Sequence, residues 1–309
     1  MNPAGGTPAA EEPKKTMTNA AKPVASIGGN GRTMISTTDI MDDNATMLQM
    51  AGELDCLRYQ AADWEAATTQ VLDDIGLEAG MRCLDVGSGV GAVLRIMAQR
   101  IGPSGQAVGL DSNARAGQFS LLELHRQGLH QVSFLRGDVN RTGVIGPDSF
   151  DLVFGRFLLF QMIDPAATLR RMFEWVKPGG CLVIQDYDLA PLDIHPQQPL
   201  FAEFRRICFA VMAQTSRDIR LGIKLRALFK DGADGAPDAT RVHAKQTTLA
   251  EAAPLIAAVY RALLPLALEL GVTNDRDGVL AQRILDLPDK RGFGVLWPLL
   301  HSAWRRKPA

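Results

Sequence analysis

Leu84-Asp85-Val86-Gly87-Ser88-Gly89-Val90-Gly91-Ala92 decides how this chain folds. An apolar run ends in three alternating glycines and passes into a helical pattern over 91–101. Glycine lets a backbone turn sharply and approach a ligand closely, and the free N–H groups of a helix start favour a negative or polar group. Strand, glycine turn and helix in that order predict a nucleotide-like cofactor at the turn. Gly87, Gly89 and Ala92 also fit G-x-G-x-x-G/A, so this stretch does not choose among such cofactors.

Outward from the turn, short apolar runs alternate with helical patterns. Arg82–Val86, Ala107–Leu110, Val132–Leu135, Asp151–Phe154 and Cys181–Gln185 read as strands, with helices near 91–101, 114–127 and 165–176. Alternation of this kind builds a parallel sheet with helices on both faces. Past Asp188 come longer helices, about 198–214, 219–230, 248–270 and 275–286, and two strands, Thr240–Lys245 and Phe293–Trp304. The fold class is therefore α/β, a Rossmann-like doubly wound sheet with helical insertions in its C-terminal part.

Ahead of the turn, residues 1–43 are rich in Gly, Pro, Ala, Thr and Asn and read as a disordered leader. Met47, Met50, Leu54, Leu57, Trp64, Val71 and Ile75 recur at helical spacing, so 44–78 reads as a helical lid. A cofactor-binding core over 79–190 follows. Residues 191–309 then supply substrate-side helices and the last two strands of the sheet.

With 309 residues, 46% of them hydrophobic, a sizeable core is available. Lys+Arg 33 against Asp+Glu 34 leaves a formal net charge of -1, and there is no long basic run, which argues against a nucleic-acid partner. Cys56, Cys83, Cys181 and Cys208 are widely spaced and read as reduced thiols. The five histidines show no metal-ligand spacing, so no metal is expected. No apolar run approaches the roughly 18 to 20 residues of a membrane span, and Met1 to Lys15 lacks a signal-peptide core. A cytoplasmic location without membrane contact is expected, and a homodimer stays open.

At the end of the second strand, Gly109-Leu110-Asp111 offers a carboxylate to two ribose hydroxyls, which suits either a nicotinamide dinucleotide or S-adenosylmethionine. Arg136-Gly137-Asp138-Val139-Asn140 follows the third strand, Phe150-Asp151-Leu152-Val153 forms the fourth, and Val176-Lys177-Pro178-Gly179-Gly180 precedes the fifth. Over roughly residues 50–190 this order of motifs resembles the class I S-adenosylmethionine-dependent methyltransferase family. Arg58-Tyr59-Gln60 with Trp64, and Gln185-Asp186-Tyr187-Asp188, look like a bacterial subgroup acting on small molecules.

The resemblance implies that Asp85, Gly87, Ser88 and Gly89 hold the methionine part of S-adenosylmethionine, whose product is S-adenosylhomocysteine. It implies Asp111 at the ribose, Ser112 as a further cofactor contact, Asp138 at the adenine amine, and the Val139 N–H at the ring. Tyr59 and Gln60 would be lid contacts; the plain alternative makes Tyr59 and Trp64 core aromatics. It also implies a seven-stranded, mostly parallel sheet whose last strand is antiparallel, a place Phe293–Trp304 would fill.

An activated sulfonium needs chiefly an aligned nucleophile in a pocket that excludes water. Ligands of doubly wound sheets sit beyond the carboxyl ends of the strands, which makes Asp186, Tyr187 and Asp188 catalytic candidates, against plain turn or capping roles. His195 is a further base candidate, and Tyr260 and Arg261 would reach the pocket from the 248–270 helix. Arg156 stands in Phe154-Gly155-Arg156-Phe157, where many nucleic-acid and protein N-methyltransferases carry Asn/Asp-Pro-Pro-Tyr/Phe. Its planar fork suits a carboxylate of substrate or cofactor, with a helix salt bridge as the alternative. Arg156 with Asp186 or Asp188 would hold a zwitterion, which brings in an amino-acid-like acceptor beside a secondary metabolite. The function expected is methyl transfer to a small molecule by in-line displacement. The rivals are an NAD(P)-dependent oxidoreductase and a non-catalytic S-adenosylmethionine-binding regulator.

Overall fold

The computed structural model describes residues 57–141 and 143–309. The leader expected over 1–43, and 44–56 of the expected lid, lie outside them. Residues 57–63 are helical and continue past Trp64 as α1 (Glu65–Asp74). There follow β1 (Arg82–Val86), α2 (Ala92–Ile101), β2 (Gln106–Asp111), α3 (Ala114–Arg126), β3 (Val132–Arg136), β4 (Phe150–Arg156), α4 (Pro165–Glu174) and β5 (Val176–Asp188). Next come β6 (Asp193–His195), α5 (Pro199–Gln214), α6 (Leu221–Gly232), β7 (Ala239–His243) and β8 (Gln246–Thr248). The last are α7 (Leu249–Glu269), α8 (Val279–Asp286), β9 (Gly294–Leu296) and β10 (Leu299–Arg306).

Seven strands form one sheet in the order β3-β2-β1-β4-β5-β10-β7, parallel except for β10, which runs antiparallel to both of its neighbours. Alternate side chains of each strand serve opposite faces. On one face Cys83, Phe154 and Val183 pack with Val71 and Leu72 of α1 and Met97 and Ile101 of α2. On the other, Leu84, Val153 and Ile184 pack with Leu169 and Met172 of α4 and Leu225 and Phe229 of α6. Helix starts are fixed by the chain's own caps: Asn113 accepts the Arg115 and Ala116 amides at 3.1 Å each, and Asp164, ahead of Pro165, accepts that of Ala167 at 2.9 Å. Helix α6 lies flat on β5 because Gly222 has no side chain; a Cβ there would stand 2.7 Å from the Asp186 carbonyl oxygen.

Four expectations are corrected. Phe293–Trp304 is two strands, because Pro298 has no N–H to continue a ladder and Trp297 turns its amide to the Lys245 carbonyl at 2.9 Å. The first of the two, β9, joins a second sheet, β6-β9-β8, which the sequence reading missed. Within the described part of the lid, α1 is core, with Val71 and Leu72 fully buried, while Leu57 and Gln60 ahead of it face a cavity. Finally, α7 is a 21-residue helix long and apolar enough to cross a membrane by length and composition, though here Ala252, Ile256 and Tyr260 bury one side of it against α5 and α8.

Candidate active site

The tips of β1 to β4 open on one cavity of about 1030 Å³. Its floor is the β1 turn, where Gly87, Gly89 and Gly91 take φ of +73°, +48° and +78°, values that L side chains avoid. The Gly87 and Ser88 amides donate to the Leu110 carbonyl at 2.7 and 3.2 Å, tying this turn to β2. Asp111 Oδ2 accepts the Gly89 amide and its Oδ1 the Asn113 amide, both at 2.8 Å, so one carboxylate shapes two turns. At the β3 tip, Asp138 Oδ1 accepts the Asn140 amide at 2.8 Å. The lining takes in Asp85, Gly87, Ser88 and Gly89 from the first turn, Asp111 and Ser112 from the second, and Asp138 and Val139 from the third. Arg156, Tyr187 and Gln60 also line it.

Asp85 is only 2% exposed, and neither its Oδ2 nor Ser88 Oγ has a hydrogen-bond partner among the described residues. Burial pushes the Asp85 carboxyl up to about 7; Arg156 opposes the shift and Asp111 adds to it. Burial also pushes the Arg156 guanidinium below its ordinary value, with Asp85 opposing. Arg156 Nη1 donates to Thr68 Oγ1 at 3.0 Å, Thr68 Oγ1 to Gln185 Oε1 at 2.7 Å, and Gln185 Nε2 to Ser302 Oγ at 2.9 Å. The same guanidinium lies 5.4 Å from the centre of the Phe157 ring, which stacks on Tyr187 at 4.0 Å, and Tyr187 Oη accepts from Trp64 Nε1 at 2.8 Å. Two buried links thus fasten the N-terminal helical segment to the strand tips. Trp64→Phe keeps an aromatic ring but deletes the indole donor and part of the buried volume, and is expected to lower stability by about 2 kcal/mol in urea unfolding; no change would dismiss this bond as a fastening.

The catalytic candidates separate. Tyr187 reaches the cavity, whereas Asp186 and Asp188, 0% and 3% exposed, do not line it. The Asp186 carboxylate accepts the amides of Tyr187 and Phe160 at 3.0 and 3.2 Å, and Asp188 Oδ1 accepts that of Ala190 at 3.1 Å, with Arg220 Nε 3.7 Å away. The zwitterion clamp through Arg156 and either aspartate is therefore overturned: both carboxylates are spent on backbone amides outside the cavity. Tyr59 is 46% exposed and outside the lining; one turn of helix sends Leu57 and Gln60 inward instead. His195 is exposed on β6, Tyr260 donates to Asp275 Oδ2 at 2.8 Å inside the helical core, and Arg261 is exposed. Among the described residues no group of three or more His, Cys, Asp or Glu is placed to hold a metal.

No described lining residue comes from beyond Tyr187, although substrate-side walls were expected from the later helices. The wall is supplied instead by Phe157, Leu158, Phe160, Gln161, Met162 and Ile163, which sequence reasoning did not single out. Their signal was present: an apolar run between the fourth strand and the Asp164-Pro165 helix start has to cover something.

Both buried carboxyls make stability depend on pH. Burial raises Asp85 and Asp186 to about 7 from an ordinary 3.8, so between these values the folded chain holds protons that the unfolded chain releases. Their contribution is full below about pH 4 and is lost as pH rises to about 7. Urea titrations across that range should show stability falling with pH, less steeply in Asp85→Asn; a parallel profile for that variant would refute the assignment.

Residues 77–246, over half of the chain, match a family model described as a methyltransferase domain. The chain belongs to this methyltransferase family. The matched span of the methyltransferase domain contains every described lining residue except Leu57 and Gln60. Membership sets aside the nicotinamide alternative that the Gly87 turn had left open. Phosphoethanolamine N-methyltransferase 3 of Arabidopsis thaliana is 31% identical over 140 residues, 45% of this chain and 27% of the relative. Ubiquinone/menaquinone biosynthesis C-methyltransferase UbiE of Pseudomonas savastanoi pv. phaseolicola is 34% identical over 116 residues, 36% of this chain and 44% of the relative. The chain thus spans about a quarter of the plant relative's length and under half of the bacterial one's. The crystal structure of a Bacillus halodurans protein assigned as a methyltransferase superposes with a TM-score of 0.54 at 16% identity, over 79% of this chain and all of that one, a likeness of fold.

Proposed function

We propose that this chain binds S-adenosylmethionine along the tips of β1, β2 and β3 and transfers its methyl group to a small molecule by in-line displacement. The supporting observation is the pair of orphaned buried oxygens, Asp85 Oδ2 and Ser88 Oγ, on the lining of a strand-tip cavity. Buried polar atoms are almost always paired, so these two fit a polar ligand that brings its own donors. The relatives named above are by name a phosphoethanolamine N-methyltransferase and a C-methyltransferase of ubiquinone/menaquinone biosynthesis, which supports a small-molecule acceptor.

The bound cofactor supplies a methyl group already activated on a sulfonium. Asp111 would take the ribose hydroxyls, Asp138 the adenine amine, and the Val139 amide the ring, with Ser112 beside the ribose. Gly87 to Gly89, Asp85, Arg156 and Gln60 would surround the methionine end. What remains for the chain is to align the acceptor and keep water away. Residues 156–163 and Tyr187 contribute no carboxylate and no histidine to the lining, so Arg156, the Gln161 amide and the Tyr187 hydroxyl are the polar side chains beside the aromatic wall. Thermal unfolding with S-adenosylhomocysteine, NAD and NADP tests the reading. A ligand at about 100 times its Kd adds about 2.7 kcal/mol, so only S-adenosylhomocysteine should raise Tm. No rise with it, or no labelled methyl passed to a small-molecule panel, would end the proposal at its binding or its catalytic half respectively.

A further inference from the structure

Asp186 is fully buried at the end of β5, makes no ion pair among the described residues, and stands outside the cavity. Yet its Oδ2 reaches across to the Phe160 amide at 3.2 Å. Phe160 is the middle residue of a single 3₁₀ turn, Leu159–Gln161, and the first amides of such a turn find no partner inside it. The turn belongs to segment 157–163, which opens on Phe157 at φ +56°, a left-handed conformation that a side chain adopts only when its surroundings hold it there. The Phe157 amide donates to the Gln185 carbonyl at 2.9 Å. On its cavity side the segment rests on the cofactor turn: Leu158 Cδ1 lies 3.1 Å from where a Cβ on Gly87 would be. The wall of the cavity is therefore hung from two consecutive residues of β5, once by backbone and once by a carboxylate.

We infer that Asp186 is a positioning residue, which by accepting the Phe160 amide holds segment 157–163 against the Gly87 turn and so sets the shape of the ligand cavity. The inference rests on the proposed function for its consequence, but not for its geometry. Burial raises this carboxyl to about 7, while the amides of Tyr187, Phe160 and Leu159 oppose the rise. Ionised, both oxygens only accept; protonated, one becomes a donor facing N–H groups, and the hold on the wall weakens. Because loosening the wall leaves the carboxyl buried, whereas unfolding exposes it, the hold tightens as pH rises through about 7 even as global stability falls. Its shift is set by burial and these amides; the titratable groups beside it are Tyr187 and Asp188 on β5, with Arg220 ahead of α6 3.7 Å from Asp188, and His301 opposite Asp186 on β10.

The test is calorimetric titration with S-adenosylhomocysteine, joined to amide hydrogen exchange of the 157–163 peptide, on the wild type, Asp186→Ala and Asp186→Asn. Asp186→Ala should bind about tenfold more weakly, with 157–163 exchanging faster while β1 and β2 stay protected. Asp186→Asn keeps one carbonyl oxygen but cannot titrate. It should bind within about threefold of the wild type near pH 6 and tighten less on going to about pH 8. Should Asp186→Ala fail to fold, Asp186→Asn decides alone. Wild-type affinity and pH response in the variants, or exchange rising equally throughout the sheet, would overturn the inference. A wild type that binds no S-adenosylhomocysteine defeats the proposed function instead, and the exchange of 157–163 then still decides the role of Asp186.

Discussion

Asp111→Ala is expected to weaken S-adenosylhomocysteine binding by about a hundredfold, measured by calorimetry. Two effects combine. The carboxylate is the proposed acceptor for both ribose hydroxyls, and hydrogen bonds to a charged group contribute about 1.5–3 kcal/mol each. It also fixes the Gly89 and Asn113 amides, both at 2.8 Å, so its loss relaxes the first and second turns together. About 3 kcal/mol corresponds to two powers of ten in Kd. Asp111→Asn keeps one accepting oxygen and should lose about tenfold. A change below about threefold in the alanine variant, with the unliganded Tm unmoved, would remove Asp111 from the ribose role.

Gly91→Ala is expected to harm folding strongly. Gly91 caps α2 at φ +78°, and an added Cβ would lie 1.9 Å from Ser120 Oγ and 3.2 Å from Leu124 Cδ1. Left-handed strain at a non-glycine residue costs about 1–3 kcal/mol, and overpacking a buried contact about 1–3 more. The sum, about 4 kcal/mol, corresponds to a fall in Tm of roughly 8 °C for a domain of this size. Ser120 Oγ has no partner among the described residues, so Ser120→Ala alone should be nearly neutral. Combined with Gly91→Ala it should recover the crowding component and leave the backbone strain. A Tm within about 1 °C of wild type for Gly91→Ala would show that the turn accommodates a side chain.

Much of the architecture was legible because its signals are local. The five parallel strands follow from apolar runs that need no alternation when both faces are covered, and the glycine turn announces itself by composition. The candidate cofactor residues Asp111 and Asp138 were readable because a strand tip determines where its next residue points. Asp186 and Asp188 were misread for the opposite reason: whether a side chain at a strand end faces the ligand or a neighbouring loop depends on the register of β5 against β4 and α6. No single stretch of sequence carries that register. The small sheet β6-β9-β8 was invisible because each of its strands is three residues long and finds its partners only through chain far away. Phe157 left no sequence trace of its positive φ, since any cue lies in the Gln185 carbonyl that holds it.

The interleaving of β10 between β5 and β7 bears on how the polypeptide is made. During synthesis β7 emerges well before β10, and among the described residues its only strand partner is β10, which also closes the open side of β5. Until Leu299–Arg306 leaves the ribosome, the apolar margin of β5 has no strand to shield it, and nascent chains stalled earlier should be captured by chaperones or clump together.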